Sequence, residues 1–570
     1  MKPIAREEWR WVTYCTLVLV FFMAIPYVFA LVHPPDGRLL ARTLYYGGDL
    51  SQYLAAMGDG ASSASWLIQD HLSAETHSPA LMYPFYVLLG KIGGALGIPP
   101  TPIFAVAVVA AVPLLTFAGY AFAAAFADSP GERRLSLLFL LFASGVGIWA
   151  AAATTADSVA DSSAAAISFD RAEVNTFLLP FGPPHLTLAF ALLLIWGRAL
   201  ALWAWGGRPR QLMILITGVL GEAILNPFSL VSMVALGAGY ALVRWIGLRG
   251  FPAREAVAVV LIGALAAPML AANLLTFGMD PFWSQTYGRQ NITSSPPPWV
   301  LALDLGFLLP LAAAGAISGK IRLEARILLV FWIVELFVLM YMPVSFQRRF
   351  GFGLQPAVAV LAALGAAWLN DLLRAKRTPY IWRVGARAIT AAALFSGTML
   401  SFALLMMTAT ATGPGGSAIF EPKGNVAAGD WLAGHSDSRD VVLASVDTGN
   451  YLAGRIRGRV VAGHRVATLD EPAKEALVQT FFLPSTSPEE RLRVASSQRV
   501  TLIFVGERER KIGAESLRAA DGFRLIYDAG GVQIYRVEKP PSGSVQRTFV
   551  ARREDWGCHL DLRSLGSLGM

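Results

Sequence analysis

The sequence predicts a mainly α, polytopic bundle of about eleven membrane-spanning helices, followed by a small α/β domain outside the membrane. Three observations predict it. Of 570 residues, 55% are hydrophobic and only 15% charged, with a mean hydropathy of +0.51. Apolar runs of about 20 residues, the length that crosses a bilayer as helix, recur along the first 410 residues. Beyond Gly413-Pro-Gly-Gly416 these runs stop and short β-like runs take over.

The first run, Trp11–Val32, exceeds a signal-peptide core and no small-residue cleavage site follows it, so it reads as a retained span. Further runs are Pro79–Ile98, Pro102–Ala127, Leu135–Thr154, His185–Trp205, Leu212–Trp245, Ala256–Phe277, Trp299–Ile317, Ile327–Met342, Gly351–Leu369 and Ala388–Thr410. Leu212–Trp245 is long enough for two spans broken at Asn226-Pro227. Short basic loops such as Arg133/Arg134, Arg208/Arg210 and Arg374/Lys376/Arg377 belong on the cytoplasmic side. That rule exposes a parity conflict, because two crossings between Val32 and Arg133 would put Arg133 outside. Pro79–Ile98 carries Lys91 and four glycines (Gly90, Gly93, Gly94, Gly97), so it is read as an interfacial or re-entrant helix. Residues 33–101 then form one large outer loop of a 1–410 membrane domain. The N-terminus lies inside and the C-terminal domain outside, in a bacterial plasma membrane.

In the domain over 418–538, Val441–Ser445, Val460–Gly463, Thr501–Val505, Phe523–Tyr527 and Val532–Val537 read as strands. Pro472–Phe482 and Pro488–Ser496 read as helices, and Gly530-Gly531 as the turn of a final hairpin. The Ser/Gly/Arg-rich tail 539–570 reads as disordered. Cys15 and Cys558 suggest neither a disulfide nor a zinc site. The net charge of +8 sits largely in short loops and does not imply nucleic acid.

Ionisable residues gather in the outer loops. Asp49 and Tyr53, four apart, share one helix face directly beyond the first span. A carboxylate there is a candidate catalytic base, with a helix cap or an ordinary solvated acid as its bland alternative. Asp70, Glu75 and His77 are secondary candidates, and Asp49, Asp70 and Glu75 could hold a divalent cation such as Mg or Mn. Asp157, Asp161, Asp170 and Glu173 enrich a second outer loop. His185 opens a span at its outer end. Glu222 and Asn226 lie within a membrane run, where an acid is a functional candidate by default. Gln347-Arg348-Arg349 breaks the charge rule on the outer side, and paired guanidiniums there suit phosphate oxygens. Trp283, Tyr287, Arg289, Gln290 and Asn291 mix aromatic and polar groups as sugar sites do.

With these parts in order, the chain resembles the GT-C superfamily of membrane glycosyltransferases. The resembling pieces are Gly48-Asp49-Leu-Ser-Gln-Tyr53, the Asp70/Glu75 loop, Pro184-His185, and Gln347-Arg-Arg-Phe350 followed by Pro356. Trp431-Leu432, Gly463-His464 and Val532-Gln-Ile-Tyr535 resemble the appended domain of large bacterial members. The resemblance implies inverting transfer of a sugar from a polyprenyl-phosphate donor to an extracytoplasmic glycan, lipid or protein. It makes Asp49 the general base, and gives the donor phosphate to Arg348 and Arg349 with Gln347, Tyr53 and His185. No acidic pair stands at position 49 and no His-Pro-Pro-Leu follows, which argues against the protein O-mannosyltransferase type. Two other readings are a lipid or solute transporter or flippase, using Glu222 and the arginines, and a non-catalytic envelope assembly protein.

Overall fold

A computed structural model describes residues 3–149, 174–248, 251–412, 416–517 and 522–538. The expected tail and the acids Asp157, Asp161, Asp170 and Glu173 lie outside the described residues. Helix dominates, as the apolar runs require. Among the described residues seven helices are long and apolar enough to cross a membrane, and a bent pair brings the number to eight. The expectation of about eleven spans also counted shorter pieces, among them Pro130–Phe142 and Pro209–Leu225. At 1.5 Å per residue a 13-residue helix reaches only about 20 Å, less than a hydrocarbon core.

Two runs read as straight spans are broken. Leu135–Thr154 gives a helix that ends at Phe142, and Trp299–Ile317 splits into Pro298–Leu305 and Leu308–Ile317, bent by 83°. The breaks meet, for the Gly145 amide donates to the Asp304 carbonyl at 2.6 Å. A Cβ on Gly145 would stand 2.0 Å from the Leu303 carbonyl oxygen, so only glycine allows this approach. The break expected at Asn226-Pro227 is present, between Pro209–Leu225 and Phe228–Leu248.

Pro84–Leu96 is a helix of 13 residues, too short to span, and packs along Leu50–Ser62. Its glycines serve this packing. A Cβ on Gly90 would meet the Met57 carbonyl oxygen at 2.0 Å, and one on Gly60 would meet that of Val87 at 2.3 Å. The two helix backbones therefore touch across small residues. Arg133 Nη1 lies 3.2 Å from the carboxylate of Glu8, at the start of the first helix Arg6–Val32. The starts of Arg6–Val32 and Pro130–Phe142 thus lie together at one end of the bundle.

The C-terminal α/β part holds a five-stranded sheet in the order Arg459–Val460, Val441–Leu443, Leu502–Val505, Val532–Val537, Phe523–Ala529. The first three strands run parallel and the last two pair antiparallel. Gly530 and Gly531, both at positive φ, close the final hairpin as expected. The expected helices are Glu471–Phe482 and Pro488–Ser497, and three more, Lys423–His435, Val446–Ala453 and the short Glu507–Ile512, were not foreseen.

This part is sewn onto the first loop. Arg38–Leu40 pairs antiparallel with Phe420–Pro422, and Ser73 bridges Ala462. Lys474 Nζ sits 2.6 Å from the Glu75 carboxylate. His71 donates from Nδ1 to the Gly458 carbonyl at 2.7 Å and faces Asp59 through Nε2 at 3.0 Å. Burial pulls the His71 pKa down, but the Asp59 carboxylate and the Gly458 carbonyl outweigh it and the net direction is up.

Candidate active site

Asp49 closes a short 3-10 turn, Gly47–Asp49, and stands at the N-cap of Leu50–Ser62. Its carboxylate makes no capping bond to the helix amides. Instead Oδ1 takes two hydrogen bonds, from Gln52 Nε2 at 3.2 Å and from His464 Nε2 at 3.1 Å. The side chain is 27% exposed, open enough to meet a substrate. The turn is pinned from the C-terminal part, where Asn450 Nδ2 donates to the Gly48 carbonyl at 3.0 Å.

The His464 proton can be placed from its neighbours. The Val466 and Ala467 amides both donate to Nδ1, at 3.3 and 3.1 Å, so the proton is on Nε2, where Asp49 Oδ1 at 3.1 Å is its acceptor and Gln52 Nε2, 3.0 Å from the same nitrogen, is a second donor converging on that oxygen. Gln52 is fixed in turn, its Oε1 accepting from the Tyr83 hydroxyl at 2.8 Å. Tyr83 holds a left-handed backbone, φ 51°, at the start of Pro84–Leu96, and Tyr46 does the same, φ 54°, before the Asp49 turn. Non-glycine residues at positive φ cost free energy, and strain of this kind gathers at functional sites.

Beside the carboxylate lies an aromatic wall. Tyr53 stacks on Tyr86 with centroids 4.3 Å apart and meets Tyr83 and His185 edge-on, each at 5.4 Å. The Tyr86 hydroxyl and His185 Nδ1 are 2.7 Å apart. Burial pushes the Tyr53 and Tyr83 hydroxyls well up, so both stay neutral. Charges of both signs act on this wall: Asp49 and Arg349 each bear electrostatically on Tyr53, Tyr83 and His185.

Arg349 lies in the 3-10 segment Gln347–Gly351, its guanidinium over the Phe228 ring at 4.9 Å. Its Nε is buried without a hydrogen-bond partner, and among the described residues no carboxylate pairs with it. A half-buried guanidinium with its Nε unmatched and no carboxylate beside it can take an anion. Arg348 follows the loop instead, its amide donating to the Thr293 carbonyl at 3.0 Å. Gln347, expected on phosphate, spans the Met342 carbonyl at 2.7 Å and the Ser295 amide at 3.2 Å, which makes it a loop tie.

The other candidates separate from this centre. Asp70 is buried and accepts from the Tyr287 hydroxyl at 2.8 Å. Burial raises its pKa to about 6, against the opposing Tyr287 hydrogen bond and the His71 charge. His77 is a structural link, accepting from the Asp70 amide at 2.8 Å and stacked on Phe282. Trp283 and Tyr287 are buried core groups, not an open sugar platform. Glu222 is fully buried one turn before the break, and Asn226 donates to Ser229 at 3.0 Å. No hydrogen bond or ion pair among the described residues ties either of them to Asp49 or Arg349.

The divalent-cation site expected at Asp49, Asp70 and Glu75 is not assembled. Among the described residues no three His, Cys, Asp or Glu side chains group as metal ligands. Glu75 is taken by Lys474 and Ser73, and Asp70 by Tyr287. Asp49, Asp70 and Glu75 therefore do not form one ligand set.

No family model and no curated protein matches the sequence. Solved structures do match the fold. The oligosaccharyltransferase AglB from Archaeoglobus fulgidus, in complex with an inhibitory peptide and a dolichol-phosphate, aligns at TM-score 0.52 and 12% identity, over 92% of this chain and 74% of its own. Its apo form gives 0.51 at 12% identity, over 92% of this chain and 75% of its own. The mycobacterial arabinofuranosyltransferase AftD gives 0.52 at 14% identity, over 95% of this chain but only 42% of AftD. The chain shares its fold with these solved structures. Of the residues brought together here, Asp49, Tyr53, His185 and Arg349 are candidates already legible in the sequence. Gln52, Tyr83 and Tyr86 were not legible there as their partners, nor was His464 as a contact of Asp49.

Proposed function

We propose that the protein is an inverting glycosyltransferase that moves a sugar from a polyprenyl-phosphate carrier to an acceptor hydroxyl at the outer membrane face. The observation that carries this is the pairing of a partly exposed carboxylate, held on one oxygen only, with a half-buried guanidinium whose Nε has no hydrogen-bond partner, beside one tyrosine wall. Among the described residues no hydrogen bond falls on Asp49 Oδ2, which leaves that oxygen to take a proton.

The acceptor oxygen attacks the anomeric carbon while its proton passes to Asp49 Oδ2. The bond from the anomeric carbon to the phosphate oxygen breaks, and the carrier phosphate leaves with the electron pair. Charge grows on that phosphate in the transition state, where the fixed Arg349 guanidinium stabilises it. The neutral tyrosines keep an uncharged aromatic wall beside the carboxylate, with the Tyr83 and Tyr86 hydroxyls already engaged by Gln52 and His185. Acceptors of three kinds fit the chemistry: glycan, lipid and protein.

The test is transfer by the purified full chain in detergent or nanodiscs, using a panel of radiolabelled polyprenyl-phosphate pentoses and hexoses. Asp49→Asn is expected to lose about 10² to 10⁴ in kcat, the range of positioned acid–base catalysis, with donor binding kept. Near-normal turnover by Asp49→Asn would end the assignment.

A further inference from the structure

We infer that His464, carried by the C-terminal α/β part, is a positioning residue for the first-loop carboxylate, so that this part completes the catalytic centre as well as covering it. The inference deepens the function proposed above and rests on it.

The geometry has three components. His464 is nearly buried, and its ring is oriented from behind by the Val466 and Ala467 amides on Nδ1. Its own amide and that of Gly463 donate to Thr468 Oγ1, each at 3.0 Å, and Thr468 Oγ1 donates to the Leu72 carbonyl at 2.6 Å. The turn 463–468 is thereby bolted to the first loop, and the imidazole has one orientation. Its remaining proton points at Asp49 Oδ1, the oxygen that Gln52 also holds.

Two donors on one carboxylate oxygen have a chemical consequence. They fix the carboxylate plane and occupy Oδ1, so the acceptor proton must go to Oδ2. Gln52 comes from the helix that Asp49 begins, and could not by itself register the carboxylate against the rest of the site. His464 lies 415 positions away in sequence and supplies that external reference. A misplacement of about 1 Å at a reacting group can cost on the order of 10² in rate.

Two substitutions separate this role from turn-building, because they split the two nitrogens of the ring. Glutamine carries its amide nitrogen near the place of Nε2, and so keeps the donor to Asp49 while losing the acceptor for Val466 and Ala467. Asparagine puts its oxygen near Nδ1, and so keeps the backbone acceptor while losing the donor to Asp49. Both variants of the full chain are assayed for kcat and donor KM with the polyprenyl-phosphate sugar that the wild type uses. The expected result is a kcat loss of about 10- to 100-fold for His464→Asn with KM changed little, and recovery to within about threefold of wild type for His464→Gln. The proposal is overturned if His464→Gln is no better than His464→Asn. Asp49→Asn in the same assay keeps the two failures apart. If it turns over normally, the proposed function fails. If it is inactive while the His464 pair shows the wrong order, only the positioning role fails.

Discussion

The Tyr287 hydroxyl donates to Asp70 Oδ1 at 2.8 Å, joining two buried residues 217 positions apart beneath the candidate site. This bond does not offset the burial of the carboxyl, whose pKa rises to about 6. The native state then holds the Asp70 proton more tightly than the unfolded chain, which releases it near pH 4. Stability due to this group is full below about pH 4 and falls as pH rises toward 6. Asp70→Asn should be about 1–3 kcal/mol more stable than wild type above pH 6, with the advantage shrinking toward pH 4. Thermal unfolding across that window checks it, and an advantage independent of pH would refute the assignment. Tyr287→Phe should push the wild-type transition to higher pH, because it removes the opposing hydrogen bond.

The ion pair of Glu8 with Arg133 makes a prediction about topology. Both side chains are almost fully buried, and the Tyr120 hydroxyl adds a bond to Glu8. Removing one partner leaves a charge without compensation, so Arg133→Leu should cost about 3–5 kcal/mol, more than exchange of both for apolar residues. Single cysteines at Glu7 and Arg134, each added to a Cys15→Ala, Cys558→Ala background, should be modified from the same side of intact cells. Labelling from opposite sides would restore Pro79–Ile98 as a crossing.

These two pairs mark what the sequence could and could not tell. The charge of Arg133 against the hydropathy of Pro79–Ile98 raised the parity conflict, because span signals are local and additive along the chain. The break at Asn226-Pro227 was legible for the same reason. The bends at Gly145 and Gly306 were not, since they arise where two distant backbones touch. In the α/β part the strands were found through their apolar runs. Lys423–His435, with Gly424, Gly429 and Gly434, has poor helix propensity and is helical through its tertiary contacts. At the site, Asp49 and the arginine pair stood out as charges in unusual places. His464 could be read only as part of a resemblance, because no local pattern links it to a residue 415 positions earlier.

Glu75 and Lys474 should behave as a clamp between the first loop and the α/β part. Burial raises the Glu75 pKa, but the Lys474 ammonium and Ser73 hydroxyl outweigh it and hold the carboxyl below its usual range. The stability it gives is present above pH 4.5 and is lost as pH falls through the lowered native value. Glu75→Gln should cost roughly 1–2 kcal/mol, since Glu75 is partly exposed whereas Lys474 is buried. Limited proteolysis near residue 416 should quicken accordingly. If Glu75 were a metal ligand instead, chelation by EDTA would reproduce the effect in the wild type; with the clamp, chelation leaves the proteolysis rate unchanged.

The two neighbouring arginines should not be equivalent. The Arg349 guanidinium lies over Phe228 with its Nε buried and unpartnered, and its charge reaches the wall that Asp49 also faces. A donor phosphate would therefore find its first fixed cation at Arg349. Arg349→Ala should weaken donor binding and turnover together, because the same contact acts on the bound phosphate and on the charge it gains as it leaves. A fork of donors to phosphate contributes about 1.5–3 kcal/mol, which corresponds to roughly 10- to 100-fold in kcat/KM. Arg349→Lys should recover only part of this, since an ammonium lacks the planar fork and stacks less well on Phe228. Arg348 holds its loop to Thr293 through the backbone, a bond that Arg348→Ala retains, so its loss should be smaller than that of Arg349→Ala. Isothermal binding of a short-chain polyprenyl phosphate, with transfer rates on the same preparations, ranks the three variants. Equal losses at the two positions would show that the phosphate is shared between them, and a larger loss at Arg348 would move the clamp there.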